Sequence, residues 1–190
     1  MNNPFNAKTF DNFLSISECE SLINYASSTE MWKESETKTH LYDFWSGRTI
    51  NYKKIIDPEY KNIFKSLMIN IQKTIISEYN ISEIYPDTID LVRWFEGMEQ
   101  VPHCDDMSNN NEEVKKFGHR VFGCVLYLND DYEGGKTYYP NFNIEITPKM
   151  GKLAIHPGDC VHLHGVTPVK NCTRYTVASF WTLDKNRSIL

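Results

Sequence analysis

TIDLVRWF (88–95), HRVFGCVLYLN (119–129), KTYYP (136–140), FNIEIT (142–147), KLAIHP (152–157), CVHLHGV (160–166) and RYTVASFWTL (174–183) are the runs that decide the fold. Each is short, rich in β-branched and aromatic residues, and bounded by Gly, Pro, Asn or Asp, the pattern of strands joined by turns. So many strands within about a hundred residues imply a sandwich or barrel. Upstream the period changes. Asp57 and Pro58 supply an N-cap and a first-turn proline, and Tyr60, Ile63, Phe64, Leu67, Ile71 and Ile75 then recur at helical spacing, which predicts a helix over 58–78. Ser17 and Glu20 have capping-box spacing ahead of a shorter amphipathic helix in ECESLINYASS (18–28), and LYDFWSGRTINY (41–52) is strand-like. The expected fold is therefore mostly β (α+β): an antiparallel jelly-roll core with the N-terminal helices packed along one sheet. DMSNNNEEVKKFG (106–118) is polar and Asn-rich, and is expected to be a mobile excursion at the barrel mouth.

The length of 190 residues is that of a single domain, with 1–86 as helical support and first strands and 87–185 as the jelly-roll core. A 41% hydrophobic fraction excludes a mostly disordered chain, and 20 basic against 25 acidic residues, without a basic run, argue against a nucleic-acid partner. No apolar stretch approaches the roughly 20 residues of a membrane span, and MNNPFNAKTF lacks a signal segment, so a soluble, cytoplasmic protein is expected. The five cysteines are scattered without a CxxC pair and are expected to be free thiols in a reducing compartment.

His103-Cys104-Asp105 is the first candidate for chemistry. Residues two apart in a strand point to one face, so the imidazole and carboxylate can converge while Cys104 points away. A second histidine stands in a later run, at His162 or His164. Two imidazoles and a carboxylate on one side of a metal make the facial triad of non-haem Fe(II) oxygenases, although zinc remains open on residue types alone. Arg174 would add a planar, permanently charged fork suited to gripping a carboxylate, and Tyr175, Val177, Phe180 and Trp181 around it argue for an inner strand.

WFEGMEQVPHCD (94–105), HRVFGCVLYLNDDYEGGKTYYP (119–140) and HPGDCVHLHGVTPVKNCTRYTVASFW (156–181) together resemble the catalytic domain of the Fe(II)- and 2-oxoglutarate-dependent dioxygenases, in the prolyl 4-hydroxylase-like branch. The resemblance implies that His103, Asp105 and His164 are the iron ligands, His164 being preferred to His162 because it heads HGVTPV and stands ten residues before Arg174. It implies that Arg174 binds the distal carboxylate of 2-oxoglutarate, with Thr137 of the EGGKTYYP run as an added hydroxyl donor. Trp94 departs from the pattern. It stands nine residues before His103, where the family commonly has a tyrosine that contacts 2-oxoglutarate; an indole donates one hydrogen bond and accepts none, and Tyr127 is a candidate substitute.

The implied activity is hydroxylation of an unactivated C–H bond, with a prolyl residue in a peptide as leading substrate, succinate and CO2 as co-products, and Fe(II), 2-oxoglutarate, O2 and auxiliary ascorbate as requirements. Asp105 argues against the halogenating relatives, which have a small residue there. The alternatives are the same cofactor chemistry on a small molecule or free amino acid, a non-catalytic metal-binding jelly roll, and a zinc hydrolase, which would lack an evident general base. Residues 106–118 and 42–52, with Tyr42, Trp45 and Arg48, are the candidate substrate contacts. His40 and His119 are expected to be exposed, and His156 structural.

Overall fold

The computed structural model describes residues 5–35, 43–107 and 114–190. In chain order its elements are β1 (Lys8–Phe10), α1 (Ile16–Ser28), β2 (Thr49–Asn51), α2 (Pro58–Tyr79), β3 (Tyr85–Trp94), β4 (Gln100–His103), α3 (Val114–Phe117), β5 (Arg120–Tyr127), β6 (Glu133–Gly134), β7 (Thr137–Tyr139), β8 (Ile144–Ile146), β9 (Leu153–Pro157), β10 (His164–Val166), β11 (Val169–Lys170) and β12 (Arg174–Thr182). A six-stranded sheet has the order β1-β9-β5-β12-β3-β2, and a four-stranded sheet has the order β4-β10-β7-β8. Every strand pairing within these two sheets is antiparallel, as the jelly-roll expectation requires.

Alternation along the large sheet separates two environments. Ile89 and Leu91 of β3, Val177 of β12, Leu126 of β5 and Leu153 and Ile155 of β9 share one buried cluster with Phe64, Leu67, Met68, Ile71 and Ile75 of α2 and with Cys19, Leu22 and Ala26 of α1. Each large side chain removed from water there contributes roughly 1.5–3 kcal/mol. The alternate positions, Asp90, Val92 and Trp94 of β3 and Arg174, Thr176, Ala178 and Phe180 of β12, line a cavity of about 550 Å³ between the sheets. The helices thus cover one face of the sheet while the other face carries the polar groups.

Local chemistry accounts for the helix ends, with one correction. Asp57 Oδ1 accepts from the N–H groups of Glu59 and Tyr60, so α2 starts where its cap predicts. The capping box of α1 is made by Ser15 and Glu18, not by Ser17 and Glu20. Both pairs have the same spacing, and the choice falls to the register that buries Cys19, Leu22, Tyr25 and Ala26 together.

Two further expectations change. Residues Cys160–His162 form a 3₁₀ turn capped by Asp159, so the strand begins only at His164. Cys104 is not a free thiol: it is disulfide-bonded to Cys160, with Cα atoms 4.9 Å apart. Spacing arithmetic misses a pair separated by 56 residues, because the sheet pairing of β4 with β10, not the local sequence, brings the two together. Cys19 and Cys124 are free and buried, and Cys172 is free and exposed. Among the described residues, no helix is long and apolar enough to cross a membrane.

Candidate active site

The register of the small sheet brings together residues that are far apart in the chain. β10 pairs with β4 so that His164 lies directly opposite His103, and Asp105 sits in the turn just beyond the end of β4. The convergence of His103 and Asp105 is therefore made by a turn and not by the pleat of a continuous strand. One donor atom from each of His103, Asp105 and His164 lies within 4.8 Å of the others. Asp105 Oδ1 is 3.9 Å from His103 Nε2 and 3.6 Å from His164 Nε2.

Hydrogen bonds aim these rings. His103 Nδ1–H donates to the Val101 carbonyl at 3.2 Å and His164 Nδ1–H to the His162 carbonyl at 3.0 Å, which leaves both Nε2 lone pairs directed at the shared point. Burial, reinforced by His156, pushes His164 down to about 3, so its imidazole is neutral and able to coordinate. Burial alone would raise the Asp105 carboxyl, but His164 and the hydrogen-bonded His156 outweigh it and hold the group well below the usual carboxylate range. A neutral imidazole and an anionic carboxylate are the states a divalent cation requires. The donor set fits Fe(II), and its one-sided arrangement leaves the cavity side open.

His162 points elsewhere: its Nε2 accepts from the Asn6 N–H and its Nδ1 lies 2.8 Å from Asp159 Oδ1. His156 plays a part that the sequence did not disclose. Its Nε2 donates to Asp105 Oδ2 at 3.0 Å, and its Nδ1 is 2.9 Å from the Tyr139 hydroxyl, so a buried Tyr–His pair orients the carboxylate from behind. Gly123 of β5 makes room for this contact, since a Cβ there would lie 2.0 Å from Asp105 Oδ2 and 2.6 Å from His156 Nε2. His119, expected to be exposed, is instead half-buried and lies 3.1 Å from Asp87.

At the other end of the cavity stands Arg174, only 1% exposed and paired in register with Trp94. The Trp94 ring carries two guanidinium groups, Arg174 at 5.1 Å and Arg48 at 4.3 Å. Among the described residues neither arginine has an ion-pair partner, and Arg174 Nε and Trp94 Nε1 have no hydrogen-bond partner. Thr137 lines the cavity, and its hydroxyl shares a 2.7 Å hydrogen bond with that of Tyr127, which lies behind it at the sheet. Arg48 does not serve as an exposed substrate contact. It is 2% exposed, donates to the Phe44 carbonyl and packs over Phe44, Trp45 and Trp94. Trp45 does line the cavity, as do Met107, Lys116 and Phe117 from the 106–118 segment. Tyr42, His40 and residues 108–113 lie outside the described residues.

The family model of the 2OG-Fe(II) oxygenase superfamily matches residues 90–182, the span that runs from β3 to β12 and contains the His-Asp-His set, His156, Trp94, Thr137 and Arg174 but not Phe44, Trp45 or Arg48. The chain belongs to the 2OG-Fe(II) oxygenase superfamily. The curated proteins to which it is similar include a prolyl 4-hydroxylase, prolyl 3-hydroxylases and a procollagen-lysine dioxygenase. It is 25% identical over 130 residues to a putative prolyl 4-hydroxylase of Acanthamoeba polyphaga mimivirus, covering 62% of this chain and 53% of that protein, so it spans about half the length of that relative. It is 41% identical over 54 residues to human procollagen-lysine,2-oxoglutarate 5-dioxygenase 2, covering 28% of this chain and 7% of that one. The viral collagen prolyl hydroxylase of Paramecium bursaria chlorella virus 1, solved as its 2OG complex, shares the fold with a TM-score of 0.66 at 19% identity, over 96% of this chain and 98% of that chain.

Proposed function

We propose that the protein is an Fe(II)- and 2-oxoglutarate-dependent dioxygenase that hydroxylates a peptide, a prolyl residue being the leading substrate, with succinate and CO2 as co-products. One observation carries this reading. The buried Arg174 guanidinium, backed by Arg48 behind Trp94 and without an ion-pair partner among the described residues, lies at one end of a cavity whose other end is a His-Asp-His donor set. Uncompensated buried charge is costly, so the site calls for an anion at the arginine end and a cation at the histidine end. A dicarboxylate that also chelates metal satisfies both.

In this reading His103, Asp105 and His164 hold Fe(II), which when bound supplies the oxidative chemistry with O2. Arg174 grips the distal carboxylate of 2-oxoglutarate, with Thr137 as a hydroxyl partner, Tyr127 fixing that hydroxyl and Trp94 Nε1–H as a further donor. Arg48 adds positive potential from behind Trp94 and offsets the charge of the bound dianion. His156 and Tyr139 keep the carboxylate of Asp105 from rotating. The peptide assignment rests on the collagen prolyl hydroxylase and the prolyl 4-hydroxylase to which the chain is similar. Ascorbate belongs to the same proposal as auxiliary reductant.

The test is an anaerobic titration of apoprotein with Fe(II) and then 2-oxoglutarate, followed by the visible absorption of an iron-chelated keto acid. The band is expected for wild type, with Arg174→Ala needing about 10–100-fold more 2-oxoglutarate, the loss of one charge-assisted pair. Iron binding without the band at any keto-acid concentration would refute the proposal in favour of a metal-binding module.

A further inference from the structure

Asp90 is a carboxylate on the cavity wall for which the described residues supply no counter-ion. It lies on the inner face of β3 opposite Ala178 of β12 and Asn51 of β2. Its Oδ1 accepts from Asn51 Nδ2 at 2.8 Å, and its Oδ2 has only the Thr88 hydroxyl at 3.4 Å, long for such a bond. Among the described residues no Lys, Arg or His forms an ion pair with it. Arg120 acts on it from a distance, being turned to Asp87 at 3.6 Å and seated over the rings of Phe180 and Phe117 at 3.8 and 4.4 Å. Burial pushes the Asp90 carboxyl up, with the Asn51 hydrogen bond and Arg120 offsetting part of the effect.

A purely structural role does not account for this group. An asparagine at position 90 would tie β3 to Asn51 as well, without desolvating a charge. Position is informative too. Arg174 pairs with Trp94, four residues along β3 from Asp90, which is about 13 Å at the usual rise per residue. Gly123, which lies beneath Asp105, is two strands away across β12, about 10 Å laterally. Asp90 is thus remote from the end assigned to 2-oxoglutarate and faces the part of the cavity left for a substrate.

We propose that Asp90 is a specificity determinant that receives a protonated amine or guanidinium of the substrate, so that the protein selects basic peptides. The inference rests on the dioxygenase reading only for where the keto acid lies. Two synthetic nonapeptides of glycine and proline with one central lysine, free in one and Nε-acetylated in the other, test it by direct binding to protein loaded anaerobically with Fe(II) and 2-oxoglutarate. Wild type is expected to bind the free-lysine peptide about 10–100-fold more tightly. Asp90→Asn should bind the two within about threefold of each other, whereas Glu20→Gln, the same charge change on the exposed face of α1, should keep the discrimination.

Equal binding of the two peptides by wild type, or discrimination retained in Asp90→Asn, overturns the proposal without recourse to any variant's activity. Succinate formation by wild type, measured in parallel, judges the dioxygenase reading alone. Charge discrimination without succinate would refute that reading and support Asp90, and succinate without charge discrimination would do the reverse.

Discussion

His156 touches no cavity-bound atom in the proposed scheme, yet it stands between the Tyr139 hydroxyl and Asp105 Oδ2 and fixes the rotamer of a proposed ligand. Replacing it with alanine is expected to lower Fe(II) affinity about 10–100-fold, as loss of an outer partner does, with little change in far-ultraviolet dichroism. Isothermal titration with Fe(II) under argon checks this. Gly123→Ala should act on the same carboxylate from the other side, because the added methyl and Asp105 Oδ2 cannot share the space. Its expected signature is loss of bound metal in a protein that still melts cooperatively. The residues that sequence reading reached, His103, Asp105, His164 and Arg174, carry side-chain types whose chemistry is conspicuous wherever they stand. His156 escaped it because its partner is 51 residues away, and the identity of a histidine does not say whether it faces a metal or the back of a ligand. The one available signal was its place at the end of KLAIHP, a run whose neighbours in the sheet could not be known from the chain alone.

At the scale of elements, α2 was the most legible part of the fold, since its cap, first-turn proline and apolar stripe agree on the same segment. Asp57→Ala should cost about 1 kcal/mol by leaving first-turn amides unpaired, seen as a lower urea midpoint at unchanged slope. Met68 joins the buried stripe although its spacing was not singled out, whereas Tyr60 and Ile63 lie only partly buried at its margin. Short strands were harder. β1, β2 and β4 have three or four residues each, too few for any period to show. The Cys104–Cys160 bridge joins the end of β4 to the 3₁₀ turn before β10, the two segments that carry the donor set. Cys160→Ser is expected to cost about 2–4 kcal/mol and to weaken Fe(II) binding, measured by thermal melting and by titration of the same sample.

Across the whole molecule, the large sheet takes both of its edge strands, β1 and β2, from the N-terminal segment, while everything between them comes from residue 85 onward. A fragment reduced to 90–182, the span the family model matches, would present two unpaired edges and lose α1 and α2 from the apolar face. It should be recovered as aggregate or as soluble oligomer, and a monomeric, cooperatively melting fragment by sedimentation and calorimetry would contradict that. The jelly roll itself was legible from the spacing of its strands, but which strand lay beside which was not, because register depends on partners distant in the chain. The order of the strands has a consequence for synthesis. β12 is the last strand of the large sheet to be made, yet it is flanked by β5 on one side and β3 on the other. Until the ribosome has released Thr182, the nascent chain holds two half-sheets that lack the strand they share, so the large sheet closes only when the last of its strands has been made.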